Sequence, residues 1–167
     1  MTQANESAGK EGMAQATAVQ LQMRAAANGV LDMMFMSPVV EDVEFPPPHW
    51  VDPIIVGLDF TGRETRGICA LALEEATARN LANIFLCFEN GEELSRLSAW
   101  DVMCELSNML CGAFLGHYDK QDSYKLSSPR SLLPGEFGPG QPLHRSILQT
   151  KHGGLLFILA FDSEKSA

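Results

Sequence analysis

Between Trp100 and Phe114 the chain carries an acid and an amide three residues apart, Glu105 and Asn108, with Asp101 one turn before them and Gly112 one turn after. At about 100° per residue, all four positions fall on one narrow stripe of a helix. A carboxylate can only accept hydrogen bonds or pair with a cation, whereas a carboxamide both donates and accepts while staying uncharged. Gly112 costs a helix about 1 kcal/mol relative to alanine, and its missing side chain lets another surface approach closely. Val102, Leu106, Met109 and Ala113 form an apolar stripe on another side, widened by Met103, Leu110 and Phe114. Taken alone, the polar stripe is therefore the wet side of an amphipathic helix.

Other chemistries find less support. Cys69, Cys87, Cys104 and Cys111 include no Cys-x-x-Cys pair and the four histidines are scattered, so neither a zinc framework nor a redox dithiol is signalled. The cysteines read as reduced and mostly buried. There is no Gly-x-Ser-x-Gly elbow and no Gly-rich loop ending in Lys-Ser/Thr, and His117, His144 and His152 have no recognisable catalytic partners. His117 reads as a helix C-terminal residue favoured by the dipole, His152 as a turn residue, and Trp50 and Trp100 as core or edge packing. The net charge of −9 argues against nucleic acid and anionic membrane surfaces, and suits a protein partner that presents basic groups.

The elements that must position the stripe follow from periodicity. With 167 residues, 46% of them hydrophobic, one domain with a sizeable core is expected. The longest apolar stretches, Gly154 to Phe161 and Val30 to Met36, are far shorter than the roughly 20 residues that span a bilayer, and the N-terminus lacks a secretory pattern. A cytoplasmic, soluble protein is expected. Residues 1–16 are small and polar without apolar periodicity and read as a mobile leader, which leaves 17–167 as a single domain. Ala16 to Met36 reads as a helix with Asn28-Gly29 as a break, and Pro46 to Pro48 mark an extended connection. Ile54 to Phe60 and Thr65 to Leu73 form a hairpin, Glu74 to Phe88 a helix closed by Asn90-Gly91, and Ala99 to His117 a longer helix. Ser98 is its expected N-cap, with Asp101 in its first turn. A short strand is expected within Leu126 to Leu133, an exposed loop at Pro134 to Pro142, and a second hairpin from Leu143 to Phe161 around Lys151-His152-Gly153-Gly154. Hairpins alternating with helices give an α+β fold: a mostly antiparallel sheet with helices packed on one face, built from loosely duplicated helix–hairpin units.

The sequence Asp101-x-x-x-Glu105-x-x-Asn108, with Gly112 and the downstream Pro129, resembles the signature of the CheX/CheC-type chemotaxis phosphatases. The phrase Glu105-Leu106-Ser107-Asn108-Met109-Leu110-Cys111-Gly112 is similar to the core of their CheX-like members. The likeness extends from about Gly29 to Phe161, because the Val56 to Gly62 strand, the Thr65 to Leu73 strand and the following helix come in the order such domains use. The first helix, with Ala27-Asn28-Gly29-Val30-Leu31-Asp32, has no Glu-x-x-Asn pattern, which favours the one-site form.

The resemblance implies a phosphatase that hydrolyses the aspartyl phosphate of a CheY-like response regulator. Asn108 would orient the attacking water, as glutamine does in GTPases, and Glu105 would pair with a lysine beside the regulator's phosphorylation site. Asp101 would support the helix start or the docking rim, and Pro129 would stiffen the neighbouring loop through its fixed φ. The chain needs no cofactor or metal of its own, since the Mg²⁺ would belong to the regulator. The resemblance also implies a homodimer joined through the sheets, with the strands of Leu143 to Phe161 as the available edge. The alternative reading is a non-catalytic module of the same superfamily that binds a response regulator or a flagellar switch component.

Overall fold

The structure is a computed structural model and describes residues 3–40, 50, 52–88, 94–133, 136–137 and 143–162, with side chains from residue 18 onward. Helix α1, Gln3–Phe35, takes in the segment expected as a leader, so the helix begins near residue 3 and not near Ala16. Alanine, glutamine, glutamate, methionine and lysine, all good helix formers, carry it through Gly9 and Gly12. Asn28-Gly29 does not break it either. The Asn28 side chain instead accepts from Val39 N at 3.0 Å, tying the chain beyond Ser37-Pro38 back to the helix.

Strands β1, Ile54–Thr61, and β2, Arg66–Leu73, form the expected first hairpin, with Ile54 opposite Leu73 and Thr61 opposite Arg66. Helix α2, Glu75–Phe85, and helix α3, Arg96–Tyr118, follow. The short strand expected after them is two: β3, Lys125–Leu126, and β4, Arg130–Ser131, both lying along the outer edge of β1. The second hairpin is β5, Leu143–Thr150, and β6, Gly153–Phe161, turning through Lys151-His152. Gly153 has φ +135°, a backbone conformation that a side chain would strain, and so fits the end of this turn.

The antiparallel sheet runs β3-β1-β2-β6-β5. Because β6 pairs with both β2 and β5, only β5 of the second hairpin offers an edge, which corrects the expectation that both strands do. The helices cover one face, where Met23, Leu31, Phe35, Leu58, Leu71, Leu106, Phe114 and Phe157 are fully buried together. The opposite face holds a smaller apolar cluster around Ala70, Leu132 and Ile158. Helix α1 packs against β5 and α3 against β1 and β2, so each long helix lies on the hairpin of the other half. This exchange is the physical content of the duplicated helix–hairpin pattern.

Pro46 to Pro48 and Asn90-Gly91 lie outside the described residues, as does the 134–142 loop apart from Glu136 and Phe137. Among the described residues no helix is long and apolar enough to cross a membrane.

Candidate functional site

Helix α3 begins three residues earlier than its sequence pattern suggests. Ser95 is the N-cap: its hydroxyl accepts from Ser98 N at 3.0 Å and lies 2.8 Å from the Ser98 hydroxyl. Ser98 is therefore inside the first turn and Asp101 beyond it, which corrects the assignments of Ser98 as cap and Asp101 as a first-turn charge. At the other end, His117 Nδ1 lies 2.7 Å from Ala113 O in the last turn, where a basic group suits the dipole.

The buried side of α3 is formed by Met103, Leu106, Leu110, Cys111 and Phe114. Each large apolar side chain there contributes about 1.5–3 kcal/mol on burial, against about 1 kcal/mol lost at an exposed helical glycine. The helix thus remains a firm platform despite Gly112 and Gly116. On its outer side Asp101, Glu105 and Gly112 are exposed and Asn108 is half-buried, so the four residues of the motif share one face that stays largely open among the described residues. A Cβ built on Gly112 or on Gly116 would meet nothing within 4 Å. Leu97 and Gly116 extend the stripe by one turn at each end, and both were legible as i−4 from Asp101 and i+4 from Gly112.

Pro129 comes from a different element, the bend between β3 and β4, and is half-buried. Two open grooves show where this edge runs. Near the start of α3, Trp100 shares a groove of about 440 Å³ with Ser131 and Leu132. Near its end, Gly112, Leu115 and Gly116 share one of about 280 Å³ with Tyr124 and Leu126. The edge segment therefore runs antiparallel to α3, with Pro129 on the stretch between the two grooves. This segment is anchored to the sheet by Ser127, whose N donates to Asp59 O at 2.9 Å and whose hydroxyl faces Asp59 N at 2.9 Å. Arg130 lies 3.8 Å from the Asp59 carboxylate and is also paired with Glu136. That arginine, together with a bond from Leu133 N, holds the Glu136 carboxyl below its ordinary range; the backbone bond is the larger cause.

Cys104 sits beside Glu105 on the flank of the stripe. Burial, followed by the nearby Asp101 charge, pushes its thiol up to about 11, so it is not a nucleophile at neutral pH. Cys69 and Cys111 are buried and free, one on β2 and one on α3, and burial followed by the neighbouring Cys111 thiol raises Cys69 well above its ordinary value. Among the described residues no three His, Cys, Asp or Glu side chains are grouped to hold a metal ion. The face carries two carboxylates, Asp101 and Glu105, and one amide, Asn108, with the bare backbone of Gly112 and Gly116 beyond them.

A family model described as chemotaxis phosphatase CheX matches residues 54–138, a span that includes Asp101, Glu105, Asn108, Gly112 and Pro129. Among solved structures, the chain is similar to the chemotaxis protein CheX from Vibrio vulnificus, at 15% identity and a TM-score of 0.64 over 86% of this chain and 96% of that one. It is similar to the CheX of the CheX–CheY–BeF3–Mg²⁺ complex from Borrelia burgdorferi, at 15% identity and a TM-score of 0.63 over 85% and 96%. It is also similar to FliY from Thermotoga maritima, at 13% identity and a TM-score of 0.52 over 83% and 84%. At these identities the structural likenesses establish the α+β fold. Among proteins of curated function none matches this sequence significantly.

Proposed function

Because the chain belongs to the CheX family of chemotaxis phosphatases, we propose that it accelerates hydrolysis of the aspartyl phosphate of a CheY-like response regulator, with Glu105 and Asn108 entering the regulator's phosphorylation site. The observation that carries this reading is the face of α3 on which exposed Glu105 and half-buried Asn108 stand one turn apart. The similar Borrelia burgdorferi protein, solved in a complex with CheY, supports the class of partner.

An acyl phosphate is already reactive, so little is required of the helper beyond placing a water in line with phosphorus. The Asn108 amide can hold that water through either of its ends and stays neutral beside the phosphoryl group. Water attacks phosphorus, the bond to the aspartyl oxygen breaks, and free carboxylate and inorganic phosphate leave. Glu105 fixes the register of the two proteins by pairing with the regulator's lysine. Since Asp101 lies beyond the first turn of α3, its place is the docking rim and not the helix start. Pro129 limits the motion of the bend between β3 and β4 through its fixed φ. The Mg²⁺ that shields the phosphoryl oxygens would be held by the regulator's own acidic groups.

The test follows loss of phosphate from a regulator loaded with a small phosphodonor and Mg²⁺, with wild type, Asn108→Ala and Glu105→Ala. Wild type shortens the lifetime of the phosphorylated regulator, Asn108→Ala does not, and Glu105→Ala needs more protein for the same effect. A second reading is a module of the same fold that docks the regulator without hydrolysis; the fold alone, shared with FliY, does not separate the two. Binding of the phosphorylated regulator with an unchanged lifetime would select that reading.

A further inference from the structure

The proposed reaction leaves one end of the α3 face without a task. Leu97, one turn before Asp101 on the same stripe, is 69% exposed, and Leu133, at the end of the edge segment, is 70% exposed. Between helix and edge lies the larger groove, where half-buried Trp100 stands beside Ile54, Ile55 and Leu132. Single exposed leucines are ordinary on a protein surface. Here Leu97 continues the face that carries Glu105 and Asn108 and follows Arg96 of the groove's rim in sequence, while Leu133 follows Leu132, which lines it. Arg96 at the groove's rim is already paired with Asp52 at 3.2 Å and Glu75 at 3.3 Å, and Pro53, Ile54, Ile55, Trp100 and Leu132 make most of the lining apolar, with Ser131 as a polar exception. Tryptophan in a partly formed pocket is the kind of residue on which association free energy concentrates.

We propose that Leu97 and Trp100 anchor an apolar side chain of the same response regulator whose aspartyl phosphate meets Asn108, and that they set how tightly the regulator is held. This rests on the phosphatase reading for the partner's identity. Leu97 and Asn108 are separated by about 16 Å along the helix at 1.5 Å per residue, a span that one face of a folded regulator covers. The other end of the stripe, at Gly112 and Gly116, presents bare backbone. A bulky apolar end and a bare end make the face polar in direction, which allows a regulator to dock in one orientation with its phosphoryl group at Asn108.

The experiment compares full-length wild type, Leu97→Gln and the conservative Leu97→Met, measuring both dephosphorylation kinetics and calorimetric binding of the phosphorylated regulator. Leu97 is mostly exposed, so thermal melting is expected to be the same for all three. The expected result for Leu97→Gln is a KM and a Kd raised about tenfold with kcat within about twofold, and recovery of wild-type values in Leu97→Met. Hydrolysis by wild type with KM and Kd unchanged in Leu97→Gln would overturn the anchor and leave the phosphatase reading standing. Binding without hydrolysis, weakened about tenfold by Leu97→Gln, would support the anchor while the phosphatase reading fell. No regulator binding by wild type would overturn both.

Discussion

Asn108 and Glu105 differ in what their removal should do, because one acts on water and the other on the partner. Asn108→Ala is expected to lower kcat about 100-fold, the scale of losing one positioned hydrogen-bonding group, with little change in regulator binding. Glu105→Gln keeps the shape and removes the charge, so it should weaken docking about tenfold at low salt and lose most of the salt dependence of KM. Rapid-quench measurement of bound phosphate at several ionic strengths separates the two; equal losses of kcat for both variants would contradict the division of labour. Their neighbour Cys104 gives a pH test of the same face. With its thiol at about 11 against an ordinary 9.0, only about one in a hundred is ionised at pH 9, so alkylation followed by mass spectrometry should still be rising there while that of the exposed Cys87 is fast. Replacing Asp101 by Asn removes a charge that disfavours the thiolate and should move the Cys104 profile to lower pH; burial, the larger cause, keeps it above 9. The acid–amide pair was legible because helix periodicity converts spacing directly into a shared face. The place of Pro129 was not, since it depends on how β3 and β4 run along α3, which no local pattern encodes.

The position of the site on α3 depends on where that helix starts. Ser95→Ala removes the hydroxyl that accepts from Ser98 N and is expected to cost about 1 kcal/mol, whereas Ser98→Ala should cost clearly less. Urea denaturation of the two variants decides between them, and a larger loss for Ser98→Ala would restore Ser98 as the cap. The apolar pattern beginning at Ala99 points to Ser98, and Ser95 is recognised as the cap only from the helix start that the structure shows. Helix α1 was misjudged for the complementary reason. Its first half has helix-forming composition without an apolar stripe, and apolar periodicity is what distinguishes a packed helix from a polar segment in sequence. The hairpins were read more surely. Ile54 to Phe60 and Leu155 to Phe161 are apolar, β-rich runs next to short turns, and the turns leave antiparallel pairing as the available arrangement.

At the scale of the molecule, the sheet ends in the two-residue strands β3 and β4 on one side and in the eight-residue β5 on the other, and self-association is decided at β5. The β5–β6 register is continuous, so alternate residues of β5 face outward. The Arg145 carbonyl accepts from the Gln20 side chain at 3.3 Å and the Gln149 carbonyl from Val40 N at 2.7 Å, which identifies Leu143, Arg145, Ile147 and Gln149 as the outward set. A second copy continuing the sheet must displace Gln20, a flexible side chain whose neutral bond is worth about 1 kcal/mol, while the Val40 backbone bond confines pairing to the stretch before Gln149. Such a pairing is short, and it brings Arg145 close to its own copy, so the dimer we propose is weak and strengthens with added salt. Light scattering over a range of concentrations should show a monomer–dimer equilibrium that shifts toward dimer as ionic strength rises. Ile147→Pro deletes an outward N–H without touching the ladder to β6 and should leave only monomer. A wild type that stays monomeric at every concentration and salt would remove the sheet-continuing dimer and leave α3 as the chain's one proposed interface.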